Sequence, residues 1–188
     1  MANYIPNRQE TLELLKKYNE SDSLVKHAFS VEAVLRRFAR HYGEDEEKWG
    51  IIGLIHDLDY ERYPDMHCVM TEKILREAGW AQDYIRAVIS HGWGIVTDVE
   101  PENLLEKTLF AVDELTGLVT ACALVRPSKS VMDLSVKSVM KKWKVKTFAA
   151  GANRDLILKG SGLLGKNLED LIQITIDGLK KVHNEIGL

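Results

Sequence analysis

The chain has 188 residues, 45% of them apolar and 28% charged, with a formal net charge of −3. That is enough apolar surface for one buried core, and mixed charge spread along the whole length argues against disorder. No window holds the 18 or so uncharged apolar residues of a membrane span, Met1 to Glu20 has no apolar signal core, and a net negative chain is not built to wrap nucleic acid. A cytoplasmic protein folded as one domain over residues 1–188 is expected, with no membrane or nucleic-acid partner; the oligomeric state is left open.

Apolar residues recur at helical spacing almost everywhere. Gln9 to Tyr18, carrying Leu12, Leu14 and Leu15, reads as a first helix. Ser23 to Tyr42 follows, with cap-type Ser21, Asp22 and Ser23 before it and Gly43 after it. Glu44 to Asp57 has acids in its first turn, where the helix dipole favours them. Asp65 to Glu77 closes at Gly79, and Ala81 to His91 at Gly92. Pro101 to Val125 is the longest and most apolar segment. Leu134 to Trp143, Arg154 to Leu164 and Asn167 to His183 complete the chain. With no stretch alternating at period two, the expected fold class is all-α, an irregular globule of many helices. Cys68 and Cys122 fall inside these helices at no metal-type spacing and read as buried free thiols in a reducing compartment.

Four histidines lie on the apolar stripes of their helices. His27 precedes Val31, Val34 and Phe38; His56 follows Trp49 and Ile52; His67 precedes Met70 and Ile74; His91 follows Tyr84 and Val88. Asp113 sits in the middle of the most apolar helix, where an uncompensated carboxylate would lose several kcal/mol or more of hydration. No lysine or arginine lies between Lys107 and Arg126. The compensating charge must come from another helix or from a bound cation, and imidazole with carboxylate is a standard ligand set for first-row metals.

The order His27, His56-Asp57, His67, His91, Asp113 resembles the HD superfamily of metal-dependent phosphohydrolases. The text around it fits as well: Gly53-Leu54-Ile55-His56-Asp57, then Asp57-Leu58-Asp59-Tyr60-Glu61, then Asp113-Glu114-Leu115-Thr116-Gly117 is similar to a subgroup of stand-alone HD hydrolases. The likeness covers about residues 21–125, and the helices of residues 134–183 are expected to pack on that core. It implies that His27, His56, Asp57 and Asp113 hold one metal and that His67 and His91 hold a second, with Asp57 bridging; either of those two histidines could instead bind substrate phosphate. It implies one or two divalent transition metals, with iron, manganese, cobalt, zinc and nickel not distinguished. The activity implied is hydrolysis of a phosphate ester of a small molecule, a nucleotide among the options, by a metal-activated water in which Asp57 takes part. The same scaffold also serves di-iron oxygenases, and a non-catalytic metal-stabilised sensor is the third reading. The paired histidines and Gly-Tyr-Pro of the cyclic-di-nucleotide phosphodiesterases are absent, since His91 is followed by Gly92-Trp93-Gly94.

Other residues complete the candidate site. Asp59 is the first choice as proton donor to the leaving group, with Glu61 and Glu72 as alternatives. Arg126 and Lys129 are candidate phosphate clamps or else a basic loop. Trp93 stacks a substrate ring, caps the cavity or simply packs in its loop. Lys137 to Lys146 alternates basic residues with Val139, Met140 and Trp143, and reads as an amphipathic helix with a solvated basic face. His41 and His183 are given no role.

Overall fold

A computed structural model describes residues 3–188. Asn7 caps the first helix, α1 (Arg8–Tyr18), in a reciprocal box with Glu10. Helix α2 (Asp22–Tyr42) ends at Gly43 in the left-handed conformation, and Asp45 caps α3 (Glu46–Ile55). The chain then passes through a 3₁₀ turn, Pro64–Met66, into α4 (Val69–Glu77) and α5 (Gln82–Ile89), which runs into a second 3₁₀ turn, Ser90–Gly92. The central α6 (Leu104–Leu124) is followed by α7 (Val136–Trp143), α8 (Arg154–Leu164), α9 (Leu168–Leu179) and α10 (His183–Ile186). Only isolated bridges pair backbones sideways among the described residues, so the chain is all-α. No helix among them is long and apolar enough to cross a membrane.

The core sits between α2 and α6. Helix α2 packs on α3, α6 and α9, while α8 and α9 lie against α6, so the C-terminal helices cover the motif-bearing half. Val31, Val34, Leu35 and Phe38 of α2 and Leu109, Val112, Leu115 and Leu118 of α6 are wholly buried. One close approach matters for the site. A Cβ at Gly53 would stand 3.0 Å from the Glu32 backbone, so only glycine lets α3 lie this tightly on α2 and bring the end of α3 beside His27.

Most boundaries fall within two residues of the periodic reading, and three departures are larger. The long helix begins at Leu104 instead of Pro101, because the Asn103 side chain accepts from the Glu106 N–H and sets the cap there. The final segment breaks after Leu179 and resumes as the short α10. The segment from Asp65 is the largest departure. His67 is extended and Cys68 has φ +66°, so α4 starts only at Val69. Buried Asp59 draws this stretch out of helix by accepting from His67 Nδ1 and from the Thr71 N–H, both at 2.8 Å.

Candidate metal centre

The fold brings the six predicted ligands together, five of them lining one cavity and His56 buried directly behind Asp57 and Asp113. His27 projects from α2 and Asp113 from mid-α6; His56 and Asp57 follow the end of α3. His67 follows the first 3₁₀ turn and His91 lies within the second. His27 Nε2 is 2.9 Å from Asp113 Oδ1. His56 Nε2 lies 3.3 Å from that same oxygen and 3.3 Å from Asp57 Oδ2. Asp57 Oδ2 is also 3.8 Å from His27 Nε2, whereas Asp57 Oδ1 faces the other pair, 3.5 Å from His67 Nε2 and 3.4 Å from His91 Nε2.

The backbone and neighbours fix which nitrogen of each ring faces inward. His56 Nδ1 donates to the Gly53 carbonyl at 2.8 Å, and His91 Nδ1 donates to the Val88 carbonyl at 2.6 Å. His67 Nδ1 donates to Asp59. All three therefore aim Nε2 at the carboxylates, and second-partner bonds of this kind are what orient metal-binding imidazoles.

Two observations test whether a cation fits. His56 Nε2 is fully buried and has no hydrogen-bond partner, although two carboxylate oxygens are 3.3 Å away. His67 Nε2 and His91 Nε2 approach to 3.1 Å, with both Nδ1 atoms already donating. Two nitrogens on one ion, each at 2.0–2.1 Å, stand about 2.8–3.4 Å apart for bond angles of roughly 90–109°. Nitrogens at such spacings fit a shared cation, or the proton that takes its place in the cation-free protein. The donor atoms fall into two groups, His27, His56, Asp57 and Asp113 in one and His67, Cys68 and His91 in the other.

The electrostatics agree. Burial disfavours a charge on His56, yet Asp57 and Asp113 override it and carry the ring up to about 10. Burial likewise opposes charge on His67, and its bond to Asp59 lifts it to about 9. Burial would raise both Asp57 and Asp113, but the imidazoles hold both well below the usual carboxylate range. Burial pushes the Cys68 thiol up, and His91 with His67 more than offsets this to leave it at about 7. Among the described residues no lysine or arginine pairs with Asp57 or Asp113, and imidazoles alone face them.

The cavity holds about 500 Å³. Leu24, Tyr60, Ile95, Val96, Phe110 and Leu156 form apolar walls around His27, Asp57, His67, His91 and Asp113. No lysine or arginine is among its lining residues. The carboxyl that lines it outside the ligand set is Glu114, which also accepts from the Asn153 N–H. Burial and the adjacent Asp113 raise its pKa.

Several sequence expectations are corrected here. Asp59 cannot serve as the proton donor, because it is wholly buried with both oxygens bound inward; it positions His67. Glu61 accepts from the N–H groups of Glu20 and Ser21, and Glu72 pairs with Arg76, so neither alternative faces the cavity. Arg126 is forked onto Asp133 beside a separate cavity, and Lys129 is exposed in the adjoining turn, so neither clamps an anion here. Trp93 packs on Phe110 with Lys159 3.2 Å over its ring and does not line the cavity. Cys68 is not a helical core thiol. It belongs to the second donor group, a placement that spacing in the sequence could not disclose, whereas Cys122 is buried in α6 as read. The lysines between 137 and 146 are exposed, with Val139 turned inward.

The chain is similar to a tRNA (cytidine(56)-2'-O)-methyltransferase of Picrophilus torridus, 24% identical over 91% of this chain and 51% of that protein. It thus spans about half the length of that curated relative. No solved structure matches it significantly. The HD domain matches residues 24–118, half of the chain and the stretch that supplies all six histidine and aspartate donors, and the protein accordingly belongs to the HD-domain family.

Proposed function

We propose that the protein is a metal-dependent phosphohydrolase acting on a small phosphate ester. The observation that carries this reading is the division of the Asp57 carboxylate, with Oδ2 turned to His27 and His56 and Oδ1 to His67 and His91. One carboxylate so placed would serve two cation positions. Divalent cations held there would supply a water of lowered pKa and positive charge for the phosphoryl oxygens.

The chain's own residues do the remainder. His27, His56, Asp57 and Asp113 would hold one cation, and His67, His91 and Asp57 the other. Gly53, Val88 and Asp59 lock the imidazoles so that little reorganisation accompanies binding. Glu114 lines the cavity with a carboxyl that is not a ligand and so stands as the group to pass a proton to the leaving oxygen.

The walls narrow the substrate class. A cavity lined by Tyr60, Phe110 and aliphatic side chains, without lysine or arginine, suits an ester with an apolar or aromatic body and few charges. A nucleotide carrying a single phosphate meets that description. Phosphate release from nucleoside monophosphates, triphosphates and sugar phosphates, measured under anaerobic conditions with Mn²⁺ or Co²⁺, tests the proposal. The expected result is turnover of monophosphates ahead of triphosphates, abolished in Asp57→Ala. Oxygen uptake coupled to product in a parallel aerobic assay, or turnover that persists in Asp57→Ala, would overturn it.

A further inference from the structure

Cys68 sits where no sequence pattern placed it. Its sulfur is 4.0 Å from His91 Nε2, and it joins His67 and His91 in one group of donors that all lie within 4.8 Å of one another. The side chain is buried, with 1% of its surface exposed. Its backbone adopts φ +66°, a conformation disfavoured for a non-glycine residue and one that tends to occur at functional sites. The opposite wall is shaped to receive the sulfur, since a Cβ at Gly92 would stand 2.9 Å from Cys68 Sγ. The point beside the sulfur is already lined by ring nitrogens. His67 Nε2 and His91 Nε2 meet there at 3.1 Å with their Nδ1 atoms donating elsewhere, and Asp57 Oδ1 completes the ring at 3.4–3.5 Å.

We infer that Cys68 supplies a thiolate ligand to the second cation position, beside His67, His91 and Asp57, so that the two positions are chemically unlike. The first offers only nitrogen and oxygen. The second adds sulfur and selects a thiophilic divalent ion of the zinc or cobalt type over manganese or magnesium. As the cation binds, the sulfur–hydrogen bond gives way to a sulfur–metal bond and the proton leaves to solvent, with no change of oxidation state. Ligands on one tetrahedral zinc, at about 2.3 Å for sulfur and 2.0–2.1 Å for nitrogen, stand about 3.5 Å apart, so a small turn about the Cys68 χ1 closes the gap. This inference rests on the two-position reading above.

Reconstitution with Co²⁺ separates the two claims. The full chain, Cys68→Ser, Cys68→Gly and Cys122→Ser are each loaded and assayed for bound cobalt and for a near-ultraviolet thiolate-to-cobalt charge-transfer band. Glycine relieves the positive φ, so Cys68→Gly removes the thiol without asking the backbone to strain. The expected result is the band in the full chain and in Cys122→Ser, its loss in both Cys68 variants, and a fall from two bound ions to one. Cobalt bound without the band, or a band that survives Cys68→Ser, overturns the thiolate ligand and leaves the cation positions standing. A chain that takes up no cobalt sinks the two-position reading itself and this inference with it.

Discussion

Helix α2 serves two largely buried acid clusters, and they are neutralised in opposite ways. Glu32 accepts from Arg8 at 2.7 and 3.0 Å and from Arg36 at 3.0 Å, and Arg36 also meets Glu47 at 2.7 Å. His27, five residues earlier and so about 140° round the helix, faces Asp57 and Asp113, which meet imidazoles only. A guanidinium never gives up its proton, so the Glu32 cluster is closed as built. An imidazole can exchange its proton for a metal ion, so the second cluster can be recharged from outside. A buried acid therefore signals a site by the chemistry of its partners, and burial alone does not distinguish the two.

Substitution should break the two clusters differently. Asp113→Ala removes the oxygen shared by His27 and His56. We expect cation affinity at the first position to fall by more than the ~10–100-fold typical of changes to groups behind the ligands. Phosphate release should drop to background while the fold survives. Dialysis followed by metal analysis reads this, and full retention of both ions would contradict it. Glu32→Ala leaves Arg36 with Glu47 as its remaining acid and should cost about 1–3 kcal/mol of stability. That lies at or below the range for breaking a fully buried pair, because Arg36 keeps a partner and Arg8 is 40% exposed and can turn to water. Denaturant unfolding should register this loss with bound metal unchanged. A variant that kept its stability and lost its metal would invert the comparison.

What could be read in advance follows from the same physics. The core of α2 and α6 was legible because long helices repeat their apolar positions many times, and His27 and Asp113 inherit their direction from that repeat. His56 and His91 were read correctly as inward-facing, although they stand just past their helices. His67 was assigned to the apolar stripe of α4, yet it precedes that helix and faces the cavity because Asp59 holds its ring. The roles of Asp59, Glu114 and Cys68 were not legible at all. Each depends on a contact across the fold, Asp59 with Thr71 and His67, Glu114 with Asn153, Cys68 with His91 and Gly92, and none leaves a spacing in the chain.

Asp59→Asn probes the part of the second cluster that resembles the first, a fully buried acid with fixed donors. A carboxylate accepts from both His67 Nδ1 and the Thr71 N–H, whereas an amide oxygen satisfies one and turns its NH₂ against the other. His67 then loses its orientation. Affinity for the second cation should weaken by about 10–100-fold, with the first position unaffected. Titration with Zn²⁺ should resolve the two steps. Weakening of both to the same degree would show that Asp59 supports the whole fold instead of one ligand.

The finest distinction between the clusters is their response to pH. Arg8 and Arg36 keep their protons across the neutral range, whereas His67 and His56 titrate near 9 and 10 when no cation competes. Both values lie above the unfolded histidine value of about 6.5. Their contribution to stability is therefore complete below about 6.5 and is lost as pH rises through 9 to 10. Asp57 and Asp113 stay ionised throughout that window. A cation binding there must displace the imidazolium protons, so its apparent affinity should rise about tenfold per pH unit for each proton released, and level off above the folded values. Melting curves taken between pH 6 and 9 should thus show metal-loaded and metal-free protein diverging as pH rises, the free form losing stability while the loaded form gains it. A gap that stays constant, or narrows, would mean that the imidazoles carry no proton for a metal to replace, and the contrast with the arginine cluster would be lost.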